Sequence, residues 1–207
     1  MSTPKLTYHA FFCTSVDGFI ARDDGSVNFP EEAIAGKKLP EGEDGGIAAF
    51  MSSVNAIIMG KTTFEQVLGF KRDGLGWQYG DTPLFVLTTS LQMLPEDAPK
   101  SVILLRPADD TPKDLSFVVD TLSKHFKQTA GETEKRIYVD GGSVVRQFIE
   151  AGLLHELTTT IIPILLGTGI RLFGALKEDV KMNLVETKSW NVGYAQLRYK
   201  LKYAPEY

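Results

Sequence analysis

Residues 137–173 restrict the possible folds more than any other stretch of the chain. The apolar run Ile137-Tyr138-Val139 stops abruptly at Asp140-Gly141-Gly142-Ser143. Helix-type periodicity follows, with Val144, Val145, Phe148 and Ile149 on one side and Arg146 and Glu150 on the other. A strand, a Gly-Gly turn and a helix start in that order form an anion site. Glycine lets a phosphate approach the backbone, and the first N–H groups of the helix point at it. The chain then resumes as a long strand, Leu157 to Leu166, interrupted by Pro163 and closed by Gly167-Thr168-Gly169.

The rest of the chain extends this pattern. Strands are predicted at Leu6–Thr14, Ala56–Met59, Leu84–Thr88, Val102–Leu105, Ile137–Val139, Leu157–Leu166, Leu184–Ser189 and Tyr194–Lys202. Helices are predicted at Gly46–Ser53, Thr62–Leu68, Lys113–Gln128 and Ser143–Ala151. Strands that alternate with helices imply parallel βαβ units. The end differs: two strands around Asn191-Val192-Gly193 read as an antiparallel hairpin. The expected class is α/β, a mostly parallel sheet with an antiparallel C-terminal pair.

At 207 residues with 43% hydrophobic content, the chain suits one large domain spanning residues 1–207. A net charge of −4 and a pI near 5.4 argue against a nucleic-acid surface, which needs a clustered basic stripe. No apolar run approaches the roughly 18–20 residues of a membrane span. The N-terminus lacks a signal-peptide layout, and a single cysteine excludes an internal disulfide, so a cytoplasmic protein is expected. Cys13 lies in the apolar run Tyr8–Thr14 and is expected as a packed core residue. His9, His125 and His155 are far apart without metal-ligand spacing, so no metal is expected; His125 is expected to be solvated.

Two long loops stand out. Arg22–Gly45 has no periodicity and directly follows Asp17-Gly18, which suits an active-site lid or an idle insertion. Residues 69–82 end in Trp77 and Tyr79, aromatics that either stack on a planar ligand or pack the loop.

In open parallel sheets the ligand lies outside the carboxyl ends of the strands. Those ends carry Asp17-Gly18, Gly60-Lys61-Thr62-Thr63, Thr88-Thr89-Ser90, Arg106 and Asp140-Gly141-Gly142-Ser143-Val144. Two of them run straight into a helix, which suits a pyrophosphate held between two helix starts. Thr62, Thr63 and Ser143 are placed to cap those helices and to bond phosphate oxygens. No G-x-G-x-x-G follows the first strand, so a standard Rossmann site is unsupported. Hydride transfer needs a proton source. Asp17 either fills that role or shapes the turn with Gly18, and Asp44 either fills it or starts the next helix.

Four motifs in order resemble the reductase domain of riboflavin biosynthesis, the C-terminal half of the bifunctional deaminase-reductases. They are Ser15-Val16-Asp17-Gly18-Phe19-Ile20-Ala21, Ile57–Glu65, Phe85–Ser90, and Pro163–Phe173 with its Gly167-Thr168-Gly169. The resemblance covers most of the chain and implies a three-layer dihydrofolate-reductase-like fold and NADPH as cofactor. It implies that Lys61, Ser90 and Arg106 surround the adenosine 2′-phosphate, where two cations and a hydroxyl favour NADPH over NADH. It also implies a strained, often cis, peptide at Gly141-Gly142. The spacing of Asp44 from Gly60 resembles that of the acid that meets the pterin in dihydrofolate reductases.

The substrate half departs from this family. Phe11 stands where a lysine is usual, Gly25-Ser26-Val27-Asn28-Phe29 replaces G-x-x-x-W, and Thr63-Phe64-Glu65-Gln66-Val67-Leu68 lacks A-D-D-P. Asn28, Phe29 and Trp77 are the expected substrate contacts. The implied reaction is reduction of the ribosylaminopyrimidine of riboflavin synthesis. The alternatives are reduction of dihydrofolate or another heterocycle, or a non-catalytic NADP(H)-binding module. Pro163 suggests that Leu157–Leu166 lies at a sheet edge. A homodimer with Ile161, Ile164 and Leu166 near the contact is therefore expected, unless helix Ser143–Ala151 covers that strand.

Overall fold

The computed structural model describes residues 4–107, 114–127 and 134–203. The strands are β1 (Lys5–Ser15), β2 (Phe19–Ala21), β3 (Ala56–Gly60), β4 (Leu84–Leu87), β5 (Val102–Leu105), β6 (Glu134–Asp140), β7 (Leu154–Ile162), β8 (Ile170–Arg171), β9 (Lys181–Ser189) and β10 (Ala195–Lys202). The helices are α1 (Phe29–Ala33), α2 (Ile47–Ser52), α3 (Lys61–Phe70), α4 (Ser116–Lys127) and α5 (Gly142–Glu150). The predicted ends of α4, Lys113 and Gln128, lie outside the described residues.

Eight strands form one sheet in the order β5-β4-β3-β6-β1-β7-β10-β9. Every pairing from β5 across to β7 is parallel, and β7-β10 and β10-β9 are antiparallel. A sheet covered on both faces needs strands that are apolar throughout. In β3, Ala56 and Ile58 pack with α4 and α5, whereas Ile57 and Met59 pack with α2 and α3. The result is three layers with an antiparallel edge, as the sequence suggests.

β7 is interior, between β1 and β10, and this corrects the edge reading. Pro163 follows its last paired residue, so the missing N–H costs no ladder bond. Ile164 and Leu166 are half-buried and pack within the chain against Phe29, Ile162, Val192 and Tyr194. α5 covers only the Leu154 and Leu157 end of this strand. The exposed edge is β9, where Leu184 and Val185 face outward.

The segment Arg22–Gly45 is pinned to the body rather than idle. Phe29 in α1 is buried, the Tyr194 hydroxyl donates to Pro30 O at 2.6 Å, and Gln196 Nε2 donates to Gly45 O at 2.7 Å. His125 is half-buried rather than fully solvated; its ring stands edge-on to Phe85 at 5.3 Å.

A small ribbon of β2 and β8 sits beside the sheet. Asp17 holds it there: Oδ1 accepts from Leu166 N at 3.1 Å and Oδ2 from Gly167 N at 2.8 Å. Gly169 has φ +144, and a side chain there would strike the Ala21 carbonyl.

Candidate functional site

The register of the parallel strands places the site. Gly60 pairs with Leu87, Leu87 with Leu105, and Met59 with Asp140. Lys61, Thr88 and Arg106 therefore leave three adjacent strands side by side, with Gly141 next to Gly60. Three cavities lie along this row. The first, about 440 Å³, contains Asp140, Gly141 and Thr63; the second, about 210 Å³, contains Gly60, Lys61, Thr62, Thr63, Ser143 and Val144; the third, about 230 Å³, contains Thr88, Thr89 and Phe117. Thr63 and Ser143 border both the first and second cavities, and Leu87 and Gln147 both the second and third.

The middle cavity lies between two open helix starts. α3 is preceded by Gly60 and α5 by Gly141, and no side chain caps either helix. Thr62, Thr63 and Ser143 are thus not caps, contrary to expectation; they sit inside the first turn and face the cavity. The first N–H groups of both helices lack partners within the helix, the condition that favours an anion. A pyrophosphate fits this donor set.

The glycines make the close approach possible. Gly141 has φ +86, and a Cβ there would lie 2.5 Å from Thr63 Oγ1. A Cβ on Gly60 would lie 3.3 Å from Val144 Cγ2. Gly142 is not at an open surface, since a Cβ would meet Arg171 O at 3.1 Å. Among the described residues no peptide is cis, so the turn at Gly141-Gly142 is trans.

Around the third cavity, Thr88 Oγ1 accepts from the N–H groups of Ser90 and Leu91, each at 3.1 Å. Arg106 reaches the same turn through Gln92 and the Thr89 carbonyl. Lys61 sits apart at the second cavity, 3.7 Å from Glu65.

Neither expected proton donor lines any of these three cavities. Asp17 accepts from the Ser15 hydroxyl at 2.6 Å besides its two backbone donors. That hydroxyl above all, with the backbone bonds, holds its carboxyl down at about 2, so it stays ionised as a clamp. Asp44 accepts from Gly46 N at 2.8 Å and Ala48 N at 2.7 Å, which makes it the helix-starting acid of α2.

Of the expected substrate contacts, Phe29 lines the first cavity. Asn28 instead donates to Glu32 at 2.5 Å. Trp77 stands edge-on to Tyr79 and packs against the α3 side of the core, not in the cavity.

Sequence reading missed Asp140 as a titrating group. It is half-buried on the wall of the first cavity and enclosed by protein elsewhere. Burial raises its carboxyl pKa above the usual range, partly offset by bonds from Gly141 N at 2.8 Å and the Tyr79 hydroxyl at 3.3 Å. The nearby Tyr138 hydroxyl donates to Phe11 O at 3.2 Å, so its one proton is committed there. The signal available was a carboxylate ending an otherwise apolar buried strand. Cys13 also corrects its expectation: it lines the same cavity rather than the core, and the surrounding protein pushes its thiol up to about 11.

The sheet order and closing hairpin are those of the dihydrofolate-reductase-like fold. Within that fold the chain belongs to the RibD C-terminal domain family, whose pattern matches residues 4–195. It is 28% identical to the uncharacterized protein YwjB of Bacillus subtilis over 191 residues, 91% of this chain and 94% of that one. A structure of a candidate riboflavin biosynthesis protein from Shewanella sp. PV-4 superposes with a TM-score of 0.77 at 28% identity, covering 95% of this chain and 99% of the other. The Thermotoga maritima diaminohydroxyphosphoribosylaminopyrimidine deaminase/5-amino-6-(5-phosphoribosylamino)uracil reductase matches in fold, with a TM-score of 0.60 at 14% identity over 95% of this chain and 56% of its own. No described helix is long and apolar enough to cross a membrane.

Proposed function

We propose that this protein is a cytoplasmic NADPH-dependent reductase acting on a planar heterocycle or sugar-amine, in the manner of the riboflavin-pathway reductases. The observation that carries this reading is the row of three neighbouring cavities, sharing lining residues, that crosses two uncapped helix starts. An extended dinucleotide has that layout: a ring at one end, a pyrophosphate in the middle and a nucleoside at the other.

A bound nicotinamide supplies hydride to an electrophilic carbon. The chain supplies the rest. The free N–H groups at the starts of α3 and α5 bind the pyrophosphate, with Thr62, Thr63 and Ser143 adding hydroxyl donors. Ser90 and Arg106 favour the 2′-phosphate, and Lys61 at the middle cavity adds positive charge beside the pyrophosphate. Asp140 holds a proton in the first cavity and passes it to the heteroatom of the reduced C=N or C=O bond. Solvent then reprotonates the carboxylate. The apolar wall around it excludes water and favours the protonated carboxyl.

Titration of NADPH and NADH by fluorescence tests the cofactor half. NADPH binds more tightly, and Arg106→Ala erodes the preference by about 1.5–3 kcal/mol. Equal affinity for the two cofactors defeats the 2′-phosphate assignment.

A further inference from the structure

The cavity that contains Asp140 is mostly apolar, with Thr62, Thr63, Gln66 and Ser143 as its other polar lining. Phe11, Phe12, Phe29 and Phe70 line it, and Val27 and Ile170, 42% and 45% exposed, form its rim. Among the described residues, no lysine, arginine or histidine lines it.

The cations next in sequence to lining residues are engaged elsewhere. Arg22 pairs with Glu32 at 2.6 Å, Lys61 with Glu65 at 3.7 Å, and Lys71 Nζ donates to Asp97 O at 2.9 Å. Arg171 donates to Asp17 O at 3.2 Å and lies over the Phe19 ring. Asp140, the carboxyl that lines the cavity, is the proton donor of the proposed reaction and offers a phosphate no positive charge.

A pentose 5-phosphate carries nearly two negative charges at neutral pH. Taken out of water into this cavity, with no cation to receive it, such a group is strongly disfavoured. A neutral ring meets the opposite circumstances. Its faces pack on phenylalanines, and its polar edge finds Asp140 and Gln66, whose amide is oriented by donation to Gly25 O at 2.7 Å.

Building on the reductase reading, we infer that the acceptor is an uncharged, phosphate-free ring compound, so that this chain takes the dephosphorylated counterpart of the phosphoribosyl substrate used by the bifunctional relatives. The phosphate-binding capacity at this end of the sheet then belongs to the cofactor alone.

Calorimetric titration of the NADP⁺-loaded protein separates the possibilities. The probes are 5-amino-6-(5-phosphoribosylamino)uracil and the same compound without its phosphate. The phosphate-free probe binds at least roughly tenfold more tightly, a difference of about 1.4 kcal/mol. Val27→Arg, a change at an exposed rim position that leaves the fold intact, narrows that gap several-fold by giving the phosphate a cation. Equal or tighter binding of the phosphorylated probe to the parent protein overturns the inference, as does failure of the phosphate-free probe to bind. If NADP⁺ itself does not bind in the loading step, the reductase reading falls and takes this inference with it. If NADP⁺ binds and the phosphorylated probe wins, only the inference falls.

Discussion

The chain carries Asp-Gly-Gly twice, at residues 44–46 and 140–142, and each time a helix follows. The two copies do opposite things. In the first, α2 begins after the second glycine, and the Asp44 carboxylate folds back onto Gly46 N and Ala48 N, closing the helix start. In the second, α5 begins one residue earlier in the motif, with Gly141 as its cap. Asp140 then bonds only Gly141 N and otherwise meets the Tyr79 hydroxyl, and no side chain caps the start. The cause is strand pairing. Asp140 is the last residue of β6 and pairs with Met59, which holds its backbone extended, whereas Asp44 is in a loop and free to turn. A shift of one residue therefore separates a sealed helix start from an open one, and releases a carboxylate to the cavity.

The largest effect expected from this contrast is at Asp140. Asp140→Asn lowers turnover by on the order of 10²–10⁴ while leaving NADPH affinity unchanged. Because burial raises this carboxyl pKa, the proton is present at low pH and lost as pH rises through the raised value. Parent turnover accordingly falls on the alkaline side, and the asparagine variant lacks that limb. The linked stability term has the same sign: the folded state keeps the proton longer, so this residue contributes less to stability as pH rises past the ordinary carboxylate range. An unchanged pH–rate profile in the variant removes Asp140 from the proton transfer.

Ser143→Asp closes the open start with an acid, and its two effects run in opposite directions. The helix gains about 0.3–1 kcal/mol, and cofactor binding loses on the order of 2 kcal/mol through like-charge repulsion. Thermal unfolding and NADPH titration of the same sample read both. A variant that is more stable and binds NADPH as well as the parent breaks the comparison. Asp44→Ala is the matched control and the smallest effect: about 1 kcal/mol of stability lost through the cap, with NADPH affinity unchanged.

Much of this architecture is legible in the sequence, because periodicity reports burial directly. Val102–Leu105 is predicted to the residue, and the two-faced run Ala56–Met59 marks a strand covered on both sides. What escapes is contact between distant short segments. Ser15-Val16-Asp17-Gly18 and the Gly167-Thr168-Gly169 tail look like ligand loops, yet Asp17 serves to bind Leu166 and Gly167 across the chain. β2 and β8, with three residues and two, are too short to show a period. Cys13 shares its apolar run with core residues, and nothing in that run marks which face of β1 opens onto a cavity. Glycine and helix starts announce themselves locally, whereas Asp140 reads as a turn residue until its surroundings are known.

The central claim is that the open starts of α3 and α5 hold a dinucleotide pyrophosphate between them. A crystal structure grown with saturating NADP⁺ tests it most directly. Pyrophosphate oxygens are expected within hydrogen-bond distance of backbone N–H groups in residues 61–63 and 142–144, with the nicotinamide in the cavity beside Asp140. A cofactor bound with its pyrophosphate away from both helix starts, or a middle cavity that stays empty under saturation, contradicts it.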